Sequence, residues 1–229
     1  MSNDTLAIDI VHSSASVDEL YSAERAKQIR SKDENLSSGM WQSFSAFVSE
    51  NSRHFDETLD VCCGTGRYFP YIKSKSFVGI DLSQHMLELA SLRQHRPPGK
   101  LIRCDVNRLR ELPELKDRFG FLFCQSSLDV DTNLGFLDVV PPMIYCASYN
   151  SKICFVTRHE DSLSVEKEIS RFMGEGSKVT SYDIHIMTHF EMPIVKVENG
   201  SNVSRNKGSA DSNDTSTQYF LITLNCESS

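Results

Sequence analysis

The feature that most constrains the fold is a short apolar segment that stops at two closely spaced glycines. Residues 58–63 have the composition of a buried strand, and Gly64 and Gly66 follow directly. Apolar residues then recur at helical spacing from Tyr68 to Ile72. Glycine suits a turn at this point because it lets the backbone bend sharply and approach a ligand closely. The segment therefore predicts a strand, a tight glycine turn and a helix.

An acidic residue at the end of the next apolar segment favours a nucleotide site. Residues 77–80 have the character of a strand, and Asp81 follows them. In a nucleotide-binding βαβ unit, a carboxylate at this interval accepts hydrogen bonds from both ribose hydroxyls. A glycine turn alone is a weak signal, but the turn and the acid together predict that the chain binds a nucleoside.

Three segments resemble the motifs of the class I S-adenosylmethionine (SAM)-dependent methyltransferases. Residues 60–66 resemble the first motif, an acid followed by glycines, and residues 78–89 resemble the second motif with the helix after it. Residues 104–106 resemble the third motif, in which an acid and the next residue flank the adenine. The resemblance covers roughly residues 55–160. It departs at Cys62, where the family usually has the first glycine, and we interpret cysteine as tolerated because it is small.

The resemblance implies that SAM is the methyl donor and gives several residues a role in holding it. The glycine turn would let the backbone approach the methionine part, and Asp60 would order the turn or act on the ammonium group through water. Asp81 would bind the ribose, and Asp105 would accept a hydrogen bond from the adenine amino group. The residues implied to bind the cofactor are Tyr21, Arg25, Asp60, Cys62, Gly64, Thr65, Gly66, Asp81, Leu82, Met86, Asp105, Val106, Gln125 and Ser126.

Helical spacing predicts two N-terminal helices, at residues 17–29 and 40–48. In the family, such helices fold over the cofactor as a lid. Tyr21 and Arg25, four residues apart on one face of the first helix, could reach the carboxylate of the cofactor's methionine part. The alternative for these two residues is a solvated helix surface. For Phe44, in the second helix, we expect a role in covering the sheet.

The methyl acceptor is poorly specified by the sequence. Histidine titrates near neutral pH, and a carboxylate can also remove a proton, so both residue types are candidate bases where they follow predicted strands. The candidates are Asp129, His159 and His189, each with a surface or structural role as the alternative. We expect a small-molecule acceptor that is methylated at nitrogen or oxygen. Histidines and acids are too dispersed to predict a metal site.

Composition narrows the class of protein and its partners. A chain of 229 residues is long enough for one substantial domain with its own core. The net charge of -7 makes nucleic acid an improbable partner, because phosphate binding requires a basic face. Seven cysteines without a secretory signal predict free thiols in a reducing compartment, and hence a cytoplasmic protein. No apolar segment approaches the length of a membrane span. The oligomeric state is not predicted.

Other functional hypotheses have weaker support. Residues 123–126 faintly resemble the Pro-Cys-Gln segment of cytosine-C5 methyltransferases, in which the cysteine attacks the base, but the flanking residues differ. Residues 140–143 share two prolines with a motif of amino-group methyltransferases and lack its flanking residues. The rival from another class is a non-catalytic, methyltransferase-like partner subunit. Cys62, and the absence of two glycines before the fifth predicted strand, slightly favour this rival.

Alternation of strand and helix patterns predicts an α/β fold. The resemblance adds a doubly wound, mostly parallel seven-stranded sheet with helices on both faces and an N-terminal helical lid. We assign residues 1–50 to the N-terminal tail and lid helices, and residues 51–229 to the SAM-binding domain with a flexible loop at 198–217. A helix at residues 135–148 is expected to break or kink at its two prolines. Strands are predicted at residues 58–63, 77–81, 101–106, 119–125, 152–157, 179–187, 194–197 and 218–225.

Overall fold

The fold comes from a computed structural model that describes residues 21–35, 39–128, 135–159, 162–173, 177–187 and 218–227. Seven strands form one sheet: β1 (Glu57–Val61), β2 (Ser76–Asp81), β3 (Gly99–Arg103), β4 (Phe119–Leu128), β5 (Ala147–His159), β6 (Val179–Met187) and β7 (Gln218–Cys226). Their order is β3-β2-β1-β4-β5-β7-β6. Strand β7 runs antiparallel to both of its neighbours, and the pairs among β1 to β5 are parallel. The predicted fold class is confirmed.

Helices cover both faces of this sheet. The α-helices are α1 (Ala23–Asn35), α2 (Gly39–Ser52), α3 (Gln84–Ser91), α4 (Phe136–Cys146) and α5 (Ser162–Ile169), with 3₁₀ helices at Phe69–Tyr71, Val106–Glu111, Pro113–Leu115 and Ser170–Phe172. Apolar residues of α2 and α3 join one core cluster, and those of α4 and α5 join the other. Among the described residues, no helix is long and apolar enough to span a membrane.

The centre of the sheet is buried because β4 is apolar on both sides. Phe121 and Phe123 belong to the cluster beneath α2, whereas Leu122 and Cys124 belong to the cluster beneath α4. This two-sided burial is what a central parallel strand requires. Asp60 of β1 pairs in register with Phe123, so by strand alternation its side chain shares the α2 face.

The helix predicted after the first glycine turn is wrong. Only the 3₁₀ helix Phe69–Tyr71 follows the turn, and Ile72 already has an extended backbone. Pro70 lacks the N–H that a continuing helix would need. Helix α2 also occupies this face of β1, because the ring of Phe44 lies 5.0 Å from Tyr68 and 6.0 Å from Phe123. The expectation that Phe44 covers the sheet agrees with these contacts.

Of the two outcomes predicted at the prolines, a break or a kink, the break does not occur. Helix α4 is continuous from Phe136 to Cys146 and includes Pro141 and Pro142. Each proline removes one backbone hydrogen bond from the helix. Val139, Val140 and Met143 are fully buried beside them, and this packing offsets the loss.

The N-terminal helix begins later than the sequence predicted. Helix α1 starts at Ala23, and Ser22 accepts a hydrogen bond from the N–H of Arg25 at 3.4 Å, as a residue preceding a helix commonly does. Tyr21 therefore precedes the helix, and the prediction that Tyr21 and Arg25 share one helix face is wrong.

The two closing strands form an antiparallel pair, β6 and β7, with Met187 opposite Tyr219. Strand β6 agrees with the prediction at residues 179–187. The predicted strand at 194–197 and the predicted loop at 198–217 lie outside the described residues.

Candidate cofactor site

The glycine turn after β1 is built from alternating left-handed residues. The backbone φ is 56° at Cys62, 54° at Gly64 and 70° at Gly66. The glycines adopt this conformation without strain, whereas Cys62 places a side chain where L-residues are disfavoured. The N–H of Gly66 donates to the carbonyl of Cys63 at 3.0 Å and closes the turn. A Cβ atom added at Gly64 would meet no atom within 4 Å, so this side of the turn faces open space.

Asp81, at the end of β2, holds one side of this turn. Its Oδ2 accepts the N–H of Gly64 at 2.8 Å, and its Oδ1 accepts the N–H of Ser83 at 2.9 Å. A carboxylate has about four lone-pair positions, so each oxygen can accept one more hydrogen bond. Burial raises the pKa of Asp81, although the backbone N–H groups of Ser83, Gly64 and Leu82 act in the opposite direction.

Asp60, one strand away, is a buried carboxyl group with one oxygen atom that lacks a hydrogen-bond partner among the described residues. The residue is 2% exposed, and the oxygen atom concerned is Oδ2. Burial raises its pKa well above the usual value, and electrostatic interactions with Cys62 and Asp81 raise it further. Asp81, rather than Asp60, accepts the N–H of Gly64 in the turn. An unpaired buried carboxyl is costly unless a ligand or water supplies a donor.

Two arginines hold the opposite side of the turn. Arg93 donates from Nε to the carbonyl of Thr65 at 3.0 Å and from Nη2 to Thr65 Oγ1 at 3.2 Å. Arg30 of α1 donates from Nη1 to the carbonyl of Leu89 at 3.0 Å and lies 3.5 Å from the carbonyl of Thr65. Sequence reasoning missed both residues. Nothing in the spacing of α1 distinguishes Arg30 from the exposed Arg25 on the same helix.

The residues implied to contact adenine lie at the ends of β2 and β3. Asp105 precedes the 3₁₀ helix Val106–Glu111, and its Oδ1 accepts the N–H of Asn107 at 2.9 Å. Met86 and Val106 are buried, and Leu82 is partly buried. Arg103 donates to the carbonyl of Leu82 at 3.1 Å and ties the two strand ends together, a contact that the sequence did not indicate.

The end of β4 lies beside the glycine turn and is irregular. Cys124 pairs with Val61, the last residue of β1, so Gln125 is adjacent to the start of the turn. The register with β5 shifts between Gln125 and Leu128, which is the signature of a bulge. Bulges are common next to active sites because they redirect side chains. Ser126 has its backbone in β4, and its side chain is outside the described part of the structure.

The remaining predicted site residues are less well defined. Arg25 is exposed on α1, whereas Arg30 on the same helix is partly buried and lies near the turn. His159 is the last residue of β5, and its backbone pairs with Gln218 at the same edge of the sheet as the turn. Asp129 and His189 lie outside the described residues. Within the described residues, no cluster of histidine, cysteine and acidic side chains could hold a metal ion.

Cys124 is unsuited to the covalent mechanism of cytosine-C5 methyltransferases. Its side chain is 0% exposed and belongs to the core cluster beneath α4. A nucleophilic cysteine must reach its substrate as a thiolate, which requires an accessible position that favours the charge. The faint resemblance at residues 123–126 is therefore not supported by the position of the thiol.

Comparison with known families decides among these possibilities. Residues 58–151 match the family model described as a methyltransferase domain, and this segment contains the glycine turn, Asp81 and Asp105.

The chain contains a methyltransferase domain over residues 58–151.

Solved structures agree with this assignment at the level of the fold. The plantazolicin methyltransferase BamL, crystallised with a triazolic desmethylPZN analog and SAH, has a TM-score of 0.63 at 15% identity, covering 94% of this chain and 96% of that chain. The CurJ carbon methyltransferase has a TM-score of 0.62 at 10% identity, covering 91% of this chain and 61% of that chain. The N-methyltransferase NodS from Bradyrhizobium japonicum WM9, also with SAH, has a TM-score of 0.50 at 10% identity, covering 83% and 89%. No curated protein matches the sequence significantly.

The site of this methyltransferase fits SAM as its methyl donor. The open side of Gly64 allows a ligand to approach the turn, and Asp81 keeps acceptor capacity for two hydroxyl groups. The unpaired carboxyl of Asp60 matches a ligand that carries an ammonium group. These three features agree with a cofactor that joins a ribose to an amino acid.

Replacing Asp60 with asparagine should stabilise the ligand-free methyltransferase at neutral pH. The pKa of Asp60 is higher in the folded protein than in the unfolded chain. The free energy of unfolding is therefore highest below the unfolded-state pKa, and it falls as pH rises through the folded-state pKa. Asparagine removes this loss, and we expect a gain of about 1 kcal/mol or more at pH 7. Urea unfolding at several pH values measures it. If the difference in unfolding free energy between Asp60→Asn and the unmodified protein does not grow with pH, the prediction is contradicted.

Replacing Cys62 with glycine should also stabilise the enzyme, by about 1 kcal/mol, because a left-handed conformation costs an L-residue roughly 1–2 kcal/mol. The φ of 56° at Cys62 is accessible to glycine without strain. Because the turn keeps its shape, affinity for S-adenosylhomocysteine should be unchanged. Thermal unfolding and calorimetry measure the two quantities, with Cys63→Gly, at the neighbouring buried position, as the control expected to destabilise. A loss of stability in Cys62→Gly would show that the strain is outweighed by its packing.

Proposed function

We propose that this methyltransferase transfers a methyl group from SAM to a nitrogen or oxygen nucleophile of a small molecule. The observation that carries the proposal is the end of β4, where Gln125 adjoins the glycine turn at an interruption of the β4–β5 pairing. A neutral amide at this point can accept a hydrogen bond from an N–H or O–H group and hold it in line with the methyl group. The net charge of -7 argues against a nucleic-acid acceptor.

The residues of the site would contribute mainly binding and orientation. When bound, SAM supplies a methyl carbon made electrophilic by its sulfonium group. Asp81 would bind the ribose hydroxyls, Asp60 the ammonium group, and Asp105 the adenine amino group. Leu82, Met86 and Val106 would exclude water from the adenine. Alignment of this kind contributes to rate because it removes the entropy cost of bringing the reactants together.

Proton removal from the nucleophile requires a base, and His159 is our first candidate. It ends β5, next to the strand that carries Gln125, and histidine titrates near neutral pH. Asp129 and His189 remain candidates from the sequence alone. Replacement of the true base should lower kcat and leave the affinity for SAM unchanged.

The methyltransferases of similar fold do not specify the acceptor. Their names include an enzyme crystallised with a triazolic desmethylPZN analog, a carbon methyltransferase and an N-methyltransferase. As many as 578 solved chains match the fold, so the fold alone does not select among nitrogen, oxygen and carbon acceptors. Our preference for nitrogen or oxygen rests on Gln125 and on the candidate bases.

The test is a transfer assay with SAM that carries a labelled methyl group. The purified protein is incubated with a cell extract divided into low-molecular-mass, protein and nucleic-acid fractions. We expect label in a small molecule of the first fraction, with the new bond at nitrogen or oxygen by mass spectrometry. Label confined to protein or nucleic acid, or attached to carbon, would overturn the proposal. The Asp81→Ala variant serves as the control, because label that it transfers equally well does not depend on the cofactor site.

A non-catalytic role would give a different result. A partner subunit that needs no cofactor need not bind SAM, whereas an enzyme must bind it. Calorimetry on the purified chain therefore separates the two before any acceptor is known. We expect binding of one SAM per chain.

A further inference from the structure

The glycine turn of this protein lacks its usual support. In open α/β folds the turn leads into a helix, whose backbone fixes it. Here only the 3₁₀ helix Phe69–Tyr71 follows, so the position of the turn depends on contacts from other segments. On one side this contact is Asp81, which accepts the N–H of Gly64 at 2.8 Å. On the other side the contacts come from two guanidinium groups.

Both guanidinium groups converge on one backbone carbonyl. Thr65 is buried, and its carbonyl accepts a hydrogen bond from Arg93 at 3.0 Å and lies 3.5 Å from Nη1 of Arg30. The direction of this carbonyl depends on the backbone dihedrals of the turn. A movement of the turn therefore changes the distance between the Thr65 carbonyl and Arg30. Conversely, a movement of Arg30 changes its interaction with that carbonyl.

Arg30 also connects the turn to two helices. The same Nη1 donates to the carbonyl of Leu89 in the last turn of α3 at 3.0 Å, where a cation is favoured by the helix dipole. Arg30 is partly buried, and Ala26, one helical turn earlier in α1, is fully buried. The face of α1 that carries Ala26 and Arg30 therefore packs against α3 and the turn.

We propose that Arg30 is a positioning residue that couples the docking of α1 to the conformation of the glycine turn. Cofactor binding stabilises the turn in the conformation that Arg30 contacts, so it strengthens the docking of α1. By linkage, the docking of α1 strengthens cofactor binding by the same factor. The proposal depends on cofactor binding alone and is independent of the acceptor that is methylated.

Hydrogen exchange measured by mass spectrometry, with S-adenosylhomocysteine as the ligand, tests the coupling. In the unmodified protein the ligand should slow exchange of the α1 amides by about tenfold, within the usual range of coupling between two sites. In Arg30→Ala the ligand should still slow exchange at the glycine turn, but no longer in α1. The dissociation constant measured by calorimetry should rise by about the same tenfold factor, because the coupling is reciprocal.

Two further variants separate coupling from a general loss of charge. Lys27→Ala removes the same charge from an exposed position of the same helix and should change neither the α1 protection nor the affinity. Arg30→Lys keeps the charge but lacks the forked guanidinium, so its effect should be intermediate.

Two results would overturn the proposal. The first is a ligand that leaves the exchange of α1 unchanged in the unmodified protein, which would mean that helix and turn are not coupled. The second is an Arg30→Ala variant in which α1 exchanges faster by an equal factor with and without ligand, at unchanged affinity. That outcome would assign Arg30 a purely structural role.

Discussion

Replacing Asp81 with alanine should weaken the binding of SAM and S-adenosylhomocysteine by about 2 kcal/mol or more, roughly 30-fold in the dissociation constant. The carboxylate is a charged acceptor, and two hydrogen bonds to the ribose would vanish with it. The variant also loses the acceptor for the N–H groups of Gly64 and Ser83. We therefore expect a small loss of stability together with the loss of affinity. Calorimetry and urea unfolding measure the two effects.

Asp81→Asn is the matched control for this prediction. Asparagine keeps the shape of the side chain and one acceptor oxygen, so one of the two backbone contacts survives. The affinity of Asp81→Asn for the cofactor should therefore lie between those of the unmodified enzyme and Asp81→Ala. Because burial raises the pKa of Asp81, the affinity of the unmodified enzyme should decline on acidification as pH falls through that raised pKa. The asparagine variant should lack this decline. An unchanged dissociation constant in Asp81→Ala would refute the ribose-binding role.

Replacing Phe69 with alanine should destabilise the enzyme by about 3–5 kcal/mol, as truncation of a fully buried aromatic residue commonly does. Phe69 is 0% exposed, and its ring centroid lies 4.4 Å from that of Phe77. A Cβ atom added at Gly66 would come within 2.5 Å of its ring, and one at Gly79 within 2.9 Å. The ring therefore fills the space beneath the glycine turn. Urea unfolding measures the loss.

Tyr71→Ala provides the control, because Tyr71 belongs to the same 3₁₀ helix but is 43% exposed. Its replacement should change stability by less than about 0.5 kcal/mol. The affinity of Phe69→Ala for S-adenosylhomocysteine should also fall at temperatures where it remains folded, since the turn loses its support. Equal stabilities for Phe69→Ala and Tyr71→Ala would show that the Phe69 ring does not stabilise the fold through its packing beneath the turn.

The sheet was predictable because its signals are local. Each strand of the parallel core contains enough apolar residues to be recognised alone, and β6 agrees with its predicted range at both ends. The serine that precedes α3 is another local signal, since Ser83 accepts the N–H of Met86 at 3.4 Å, as a capping residue does.

The errors arose where packing between distant segments overrides local preference. The aromatic residues after the turn have helical spacing, but α2 occupies the place of a helix on that face of β1. The prolines of α4 are unfavourable in a helix, but burial of its neighbouring side chains outweighs them. Such outcomes depend on contacts between residues far apart in the chain, which spacing does not record.

The sequence by itself determined the methyltransferase domain and the methyl donor, and it predicted Asp60 and Asp81 as site residues. It could do so because left-handed turns favour glycine, and because an acid at the end of the next strand is placed where it can bind a ribose. Only the tertiary structure decided the burial, the pKa and the contacts of the site residues. Asp60 has a raised pKa because other segments bury it, and Thr65 contacts Arg30 because α1 packs beside α3. Burial and convergence are properties of the folded chain, since they exist only once distant segments meet.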